Sequence, residues 1–489
     1  MSETASTGGL PTSISAADML GARAAASPGA DAVVSEDARV SFGALLDRVD
    51  RMIGLLCREG WTPGMVVGVA MRDADLHLAT ALALLCLGDA QVCLPSHETA
   101  ASNRSTMGRL GVSLVVCDER RDWMDGVRSV VVDERTLAAA PSGLAQARPA
   151  PADAAAVYVK TSGSTDVPKL FPLSFARLAG AAARTAAEPK ERRVMRTSSI
   201  EFDSTRIYRL YALLGGCATV IAPRDMAELG SACRRLDVSQ VHIGTYALAS
   251  LLNGGRALSP MPETTSLLTG GSRVPGPLRA AIAARLSRNL WISYATSEIG
   301  QISLATPDEH EEHPEGVGRP RPEAEVEIVD AEGRPVARGE IGEIRARRPA
   351  APKAYVGQDP SSSQFRDGWF YPNDLISWPA GGPLIYHGRA DDVMLLNGVK
   401  ISGGAIEDAL SAHADVREAV SFPMPSRLHG EIPAAAVVLA PGAERADAAA
   451  LLAHCRTILG LRAPRRIVVV DAIPRTHTGK PLKRELAAL

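Results

Sequence analysis

Short apolar runs rich in Val alternate with longer stretches whose apolar residues return every three or four positions. The runs MVVGVAM (65–71), AQVCLP (90–95), VSLVVCD (112–118) and RSVVVD (128–133) are short and β-branched, and are predicted strands. Residues 13–26, 41–58, 74–87 and 101–110 carry helical spacing, with Ser13 and Ser41 as N-caps of the first two. Strands alternating with helices predict a layered α/β domain with a largely parallel sheet. The stretch AAAPSGLAQARPAPAD (138–153) has no period and reads as a surface connection. From 154 to about 300 the alternation resumes, with ATVIAP, QVHIGT and SLLTGG as strands. From 316 to 350 the texture becomes that of a β-hairpin, AEVEIVD-AEGR-PVARGEIGEIRAR, around a Gly turn. After HGRADDVMLLNGVKI (387–401) comes a smaller α+β unit. Its helices are SGGAIEDALSAH and RADAAALLAHCRTILG, and its strands EAVSFPM, AAAVVLA and RRIVVVD. The expected fold is therefore α/β: a large domain over 1–388, with layered α/β subdomains and a β-rich one, and a small α+β domain over 389–489.

Composition narrows the function without naming it. A chain of 489 residues is too long for one ordinary core. The net charge of −2 and an aromatic content of 4 % give no reason to expect a nucleic-acid or anionic-membrane partner. The 7 cysteines are scattered with no C-x-x-C pair, as reduced, mostly buried thiols would be. No signal peptide opens the chain, and the longest apolar stretch, LATALALLCLG (78–88), is too short to span a bilayer. A cytoplasmic protein is expected.

The segment TSGSTDVPK (161–169) is the first candidate for chemistry. It sits between two short extended runs, and it crowds Thr161, Ser162, Ser164 and Thr165 around Gly163 before closing on Lys169. Glycine lets successive N–H groups converge, hydroxyls add donors and lysine adds compact charge, which together suit phosphate oxygens. The alternative is an ordinary polar turn. The spacing is not that of a Walker A loop.

Order decides between these readings. The loop is followed by EFDSTRIYRLYALLGG, SYATSEIG (293–300), GEIGEIRAR (339–347), DGWFYPNDL (367–375), HGRADDVMLLNGVKI and PRTHTGKPLKREL (474–486). From about residue 30 to the C-terminus this series resembles the adenylate-forming superfamily of acyl-CoA synthetases, amino-acid adenylation domains and luciferases. The resemblance implies a large N-terminal domain, a mobile C-terminal domain and a two-step reaction. ATP and a carboxylate give an acyl-adenylate and pyrophosphate, and a nucleophile then displaces AMP. It implies ATP and Mg²⁺ as cofactors, with the 161–169 loop on the β- and γ-phosphates. Glu298 would hold Mg²⁺, Ser297 would donate to the α-phosphate and Tyr294 would lie against adenine. Gly270 and Gly271, in LLTGGS, would line the acid and nucleotide sites respectively. Asp374 would accept from both ribose hydroxyls with Arg389 beside it, Asp391 would be the hinge, and Lys480 the catalytic lysine of the first step.

Three positions depart from the family's pattern: Asp166 in the phosphate loop, Ala295 in the adenine-site motif and Asn373 before Asp374. None removes a charge that the chemistry needs, although Asp166 adds one unfavourable to phosphates. A non-catalytic nucleotide-binding module is the different-class alternative, but Lys480, Glu298 and Asp374 are all present. The Phe202–Asp203 pair resembles that of amino-acid adenylation domains, where the aspartate binds an ammonium; alternatively Asp203 caps a helix. His242 would face the same cavity, where it could serve as a base near neutral pH. The final motif lies three residues before Leu489, so the acceptor is expected to arrive from solution. A thiol, CoA or a carrier protein, is expected ahead of a free amine, in a specialised pathway.

Overall fold

Short Val-rich runs become strands, buried on both faces at the centre of their sheet as parallel strands flanked by helices must be, whereas the edge run Arg128–Val131 leaves Val131 exposed. A computed structural model of the chain describes residues 11–161, 168–187, 192–358, 364–396, 399–426, 430–443, 447–476 and 479–489. Its first sheet runs Lys169–Ser174, Ala155–Thr161, Ala90–Cys93, Val66–Ala70, Leu114–Cys117, Arg128–Val131. Every neighbouring pair is parallel except the first, so the runs on either side of the 161–169 loop form an antiparallel hairpin with Thr161 opposite Lys169.

A second, nine-stranded sheet has six parallel strands at its centre. They run Leu290–Thr296, Ser266–Gly270, Gln240–Gly244, Arg193–Arg196, Ala218–Ile221 and Asp31–Val34. Because they are parallel, Thr296, Gly270, Gly244 and Arg196 all lie at one edge, the carboxyl edge where open α/β sheets bind ligands. Helices Ala74–Cys86, Phe175–Ala186 and Asp203–Gly215 contribute to one continuous core with residues of both sheets. Helix Ala74–Cys86 is buried from Leu76 to Cys86 and starts cleanly because Asp73 accepts from the Asp75 and Leu76 N–H groups.

A third sheet contains the expected hairpin, Glu325–Val329 against Ile341–Arg347, and carries Asp374–Ser377 beside Ile385–Arg389. Beyond it, helices Gly403–Ser411 and Ala448–Leu459 pack on Val416–Ser426, Gly430–Leu439 and Arg466–Val469. Two core clusters here draw only on residues 394–487. This is the expected α/β fold with a large N-terminal and a small C-terminal domain.

One local expectation needs correction. Ser13 is not an N-cap: Ser13–Ile14 pairs as a strand with Ala150–Pro151, and Ser15 caps the helix Ala16–Ala26. The 138–153 stretch is the expected surface connection, and it is held in place by the Asp50 carboxylate, which accepts from the Gly143 and Leu144 N–H groups and from the Ser142 hydroxyl. None of the seven cysteines forms a disulfide, and six are buried. Among the described residues no helix is long and apolar enough to cross a membrane.

Candidate active site

One large cleft opens at the carboxyl edge of the nine-stranded sheet and reaches the C-terminal domain. Strand Leu290–Thr296 delivers Tyr294 to it, and the turn that follows delivers Ser297 and Glu298. Ser297 is exposed, whereas Glu298 is buried. The Glu298 carboxylate accepts from the Tyr355 hydroxyl at 2.8 Å. The same Tyr355 oxygen lies 3.0 Å from Gln364 Oε1, which accepts from Lys169 Nζ at 3.0 Å. Lys169 also stands over the Tyr355 ring, 4.9 Å from its centroid. Burial pushes the Glu298 carboxyl up from its ordinary range, while Tyr355, Lys169 and Lys480 pull it back. Tyr355 and Gln364 escaped the sequence reading. The available signal was a tyrosine in the aromatic-poor stretch PKAYVGQ.

A second carboxylate lies on the other side of the cleft. Asp374 begins a strand and pairs across the sheet with Arg389. Its Oδ2 accepts from the Tyr294 hydroxyl at 2.6 Å, and Arg389 Nη1 is 3.8 Å from Oδ1. Burial pushes Asp374 up to about 6, against the opposing effects of the Tyr294 hydrogen bond, Arg389 and Lys480. Asn373 takes φ of 63°, so this departure falls on a residue that tolerates the left-handed region better than most. Arg389 grips Asp391 through two 2.7 Å bonds, Nε to Oδ1 and Nη2 to Oδ2. Asp391 sits in a single 3₁₀ turn, Ala390–Asp392, between the third sheet and the C-terminal cores.

The C-terminal tail closes the cleft. Lys480 is exposed on the cleft wall, near enough for its charge to act on both Glu298 and Asp374. Gly479, at φ 82°, lies against the Tyr246 ring, where an added Cβ would stand 2.8 Å from Tyr246 Cβ. Arg475 stacks on the same ring at 4.3 Å. Arg273 of the large domain pairs with Asp408 of the small one. Gly271, at φ 86°, makes the turn that leads to Arg273, while Gly270 faces the Ser293 carbonyl too closely for a side chain.

Two expectations about the acid pocket change. The Asp203 carboxylate is already engaged: Oδ1 accepts from Arg206 at 2.6 Å and Oδ2 from the Lys160 N–H at 2.8 Å. It therefore pins helix Asp203–Gly215 to strand Ala155–Thr161, and its charge is already balanced by Arg206 although it lines the cleft. It is not the N-cap either, a position held by Phe202. His242 lines the cleft, but Arg196 Nη2 meets its Nδ1 at 3.0 Å and Gln240 Oε1 its Nε2 at 2.8 Å. The Nδ1 lone pair accepts from the guanidinium, so His242 has none left for a base. Burial, then Arg196 and Arg192, hold it well below the usual histidine range. Ser162, Gly163, Ser164, Thr165 and Asp166 lie outside the described residues, as do His477 and Thr478. Thr161 and Lys169 flank that loop on the cleft wall, and Arg109 holds its exit by donating to the Pro168 carbonyl at 2.7 Å.

The model of the AMP-binding enzyme family matches residues 20–356, and that of its C-terminal domain matches 405–480. The chain belongs to the AMP-binding enzyme family. It is an adenylate-forming ligase, with ATP-dependent activation of a carboxylic acid followed by acyl transfer to a thiol or an amine. Novobiocin biosynthesis protein H of Streptomyces niveus is 28 % identical over 488 residues, covering 93 % of this chain and 79 % of that one. The probable non-canonical nonribosomal peptide synthetase CymA of Salinispora arenicola is 29 % identical over 475 residues, covering 94 % of this chain and 6 % of that one. Amide bond synthetase McbA from Marinactinospora thermotolerans superposes with a TM-score of 0.85 at 26 % identity, covering 97 % of this chain and 99 % of that one. O-succinylbenzoate coenzyme A synthetase from Bacillus subtilis, in complex with ATP and magnesium, has the same fold: TM-score 0.85 at 23 % identity, covering 96 % and 98 %.

Proposed function

We propose that the cleft binds MgATP and a carboxylic acid, and that the small domain, taken as 389–489, rotates about Asp391 between the two steps. The observation that carries this reading is the convergence on one cleft of Glu298 with its Tyr355–Gln364–Lys169 chain, of Tyr294 with Asp374, and of Lys480. In the first step two anions, the substrate carboxylate and the α-phosphate, must approach. Lys480 orients them and stabilises the charge that develops on their oxygens, with Ser297 donating to the α-phosphate. Lys169 and the Thr161 hydroxyl, at the two ends of the loop, are assigned to the phosphates that leave as pyrophosphate. Asp374 accepts from the ribose hydroxyls, a task for which a carboxylate offers acceptors only, and Gly271 gives the nucleotide room for close approach. Glu298 suits Mg²⁺, which keeps water and substrate phosphates around one or two protein carboxylates; its buried oxygen and the nearby lysines fit that set. Bound there, the ion would neutralise phosphate charge.

The acceptor follows from what the pocket lacks. With the Asp203 charge balanced by Arg206 and His242 without a free lone pair, neither group favours an incoming amine, so a thiol, CoA or a carrier protein, is the first reading. The amine reading is kept by the likeness to an amide bond synthetase over 99 % of that chain. Mass spectrometry of reactions holding acid, ATP and Mg²⁺ separates them. Thioester formed with CoA or a phosphopantetheinyl carrier is expected; amides at catalytic rates without any thiol would overturn it.

A further inference from the structure

The acid pocket carries positive charge that the protein leaves without a counter-ion. Arg196 ends the strand Arg193–Arg196 at the carboxyl edge of the nine-stranded sheet and lines the cleft. Its Nη2 bonds to His242, and its guanidinium covers the Tyr208 ring at 4.3 Å. Its Nε is buried without any hydrogen-bond partner, and it forms no ion pair among the described residues. Arg209, 3 % exposed, adds a second guanidinium close behind by donating to the Arg196 carbonyl at 3.4 Å, and its Nε is also unpartnered.

Asp75 lies near enough for its charge to act on Arg209, but no carboxylate acts on Arg196, and three acids of this region are engaged elsewhere. Asp203 is held by Arg206 and the Lys160 N–H, Glu201 by the N–H and hydroxyl of Ser96, and Glu323 by Arg348 and Arg184. Burial lowers Arg196 to about 10, and no carboxylate acts against that shift. A buried cation without a partner is costly, and in proteins such groups are paired with an acid or with a ligand.

We infer that Arg196, with His242 and Tyr208 beside it, is the counter-ion for a second carboxylate on the acyl substrate, distal to the one that is adenylated. The inference rests on the adenylation reading above. Strand Arg193–Arg196 lies three strands from Leu290–Thr296 in the sheet order. At neighbouring-strand spacing that is about 14 Å between backbones. The substrate class is therefore an extended dicarboxylic acid, with its far carboxylate on Arg196 and its reacting carboxylate toward Lys480. With Nη2 given to His242, the guanidinium meets such a carboxylate through its remaining edge, as a charge-assisted hydrogen bond.

The test compares each diacid with its own monomethyl ester, in aliphatic and aryl series of increasing length, by ATP–pyrophosphate exchange. Wild type is expected to show kcat/KM at least about tenfold higher for the best diacid than for its ester, the size of one charged hydrogen bond. In Arg196→Met the diacid KM should rise about tenfold or more and the ratio fall to near one, and Arg196→Lys should restore part of the preference. An ester that matches or exceeds its diacid at every length would overturn the inference, as would a parallel loss for both in Arg196→Met. Circular dichroism confirms that the variants fold. If no acid of either kind supports exchange although ATP binds, the adenylation reading fails. Calorimetric titration of the same pairs then tests the Arg196 site alone, by the same ratio.

Discussion

Asp374 shows how a residue's surroundings set what it can do. Burial, with a smaller push from Asp391, drives its carboxyl up to about 6, and the Tyr294 hydroxyl and Arg389 limit the rise. Above that pH the group is an anion offering acceptors to the ribose; below it a proton occupies one of them. The KM for ATP is therefore expected to rise as pH falls through about 6. Asp374→Asn should raise it about tenfold or more near neutrality, the size of a lost charged hydrogen bond of ~1.5 kcal/mol, and flatten the pH dependence. An unchanged KM, or the same pH profile in the variant, would remove Asp374 from the nucleotide site. At this scale the sequence was readable where a motif surrounds the residue: Glu298, Asp374 and Lys480 come together on one cleft. It was unreadable where the partner is remote. Nothing near Asp203 announces that Lys160, 43 positions away, will take its second oxygen, or that Arg196 will occupy His242 from a neighbouring strand.

Elements were legible where burial is two-sided and the period is clean. The Val-rich runs from 65 to 133 and the helices at 42–58 and 74–86 fall where the pattern puts them, within a few residues. Ser13 was misread because a two-residue strand pairing with Ala150–Pro151 leaves no periodic trace. The tail around Gly479 was recognisable as a motif, but its seat on Tyr246 was not, since that contact joins two domains. Gly479→Leu would push a side chain into the Tyr246 ring and displace Lys480. Exchange should fall about a hundredfold, the cost of misplacing a group by about an ångström, while the thermal midpoint stays unchanged. Near-wild-type exchange would show that the tail acts from another seat.

At the scale of the whole molecule, the Arg273–Asp408 pair and the Gly479–Tyr246 contact join the domains in the arrangement that brings Lys480 to the cleft, and the proposed rotation would break both while the small domain kept its own cores. If the proposed rotation about Asp391 lies between the two steps, Asp391→Pro should slow acyl transfer more than adenylation. Equal losses in both half-reactions would place the hinge elsewhere, and Asp391→Asn separates the loss of rotation from the loss of the Arg389 pair. The central claim is that this cleft joins a carboxylate to the α-phosphate of ATP with Lys480 as the charge that permits it. Acid-dependent ATP–pyrophosphate exchange, measured on wild type and Lys480→Ala across a panel of mono- and dicarboxylic acids, tests it directly. The expected result is exchange that requires one class of acid and falls at least about a hundredfold in the variant, with ATP still bound. Exchange in Lys480→Ala within about tenfold of wild type, or no exchange with any acid in the folded, ATP-binding wild type, would contradict it.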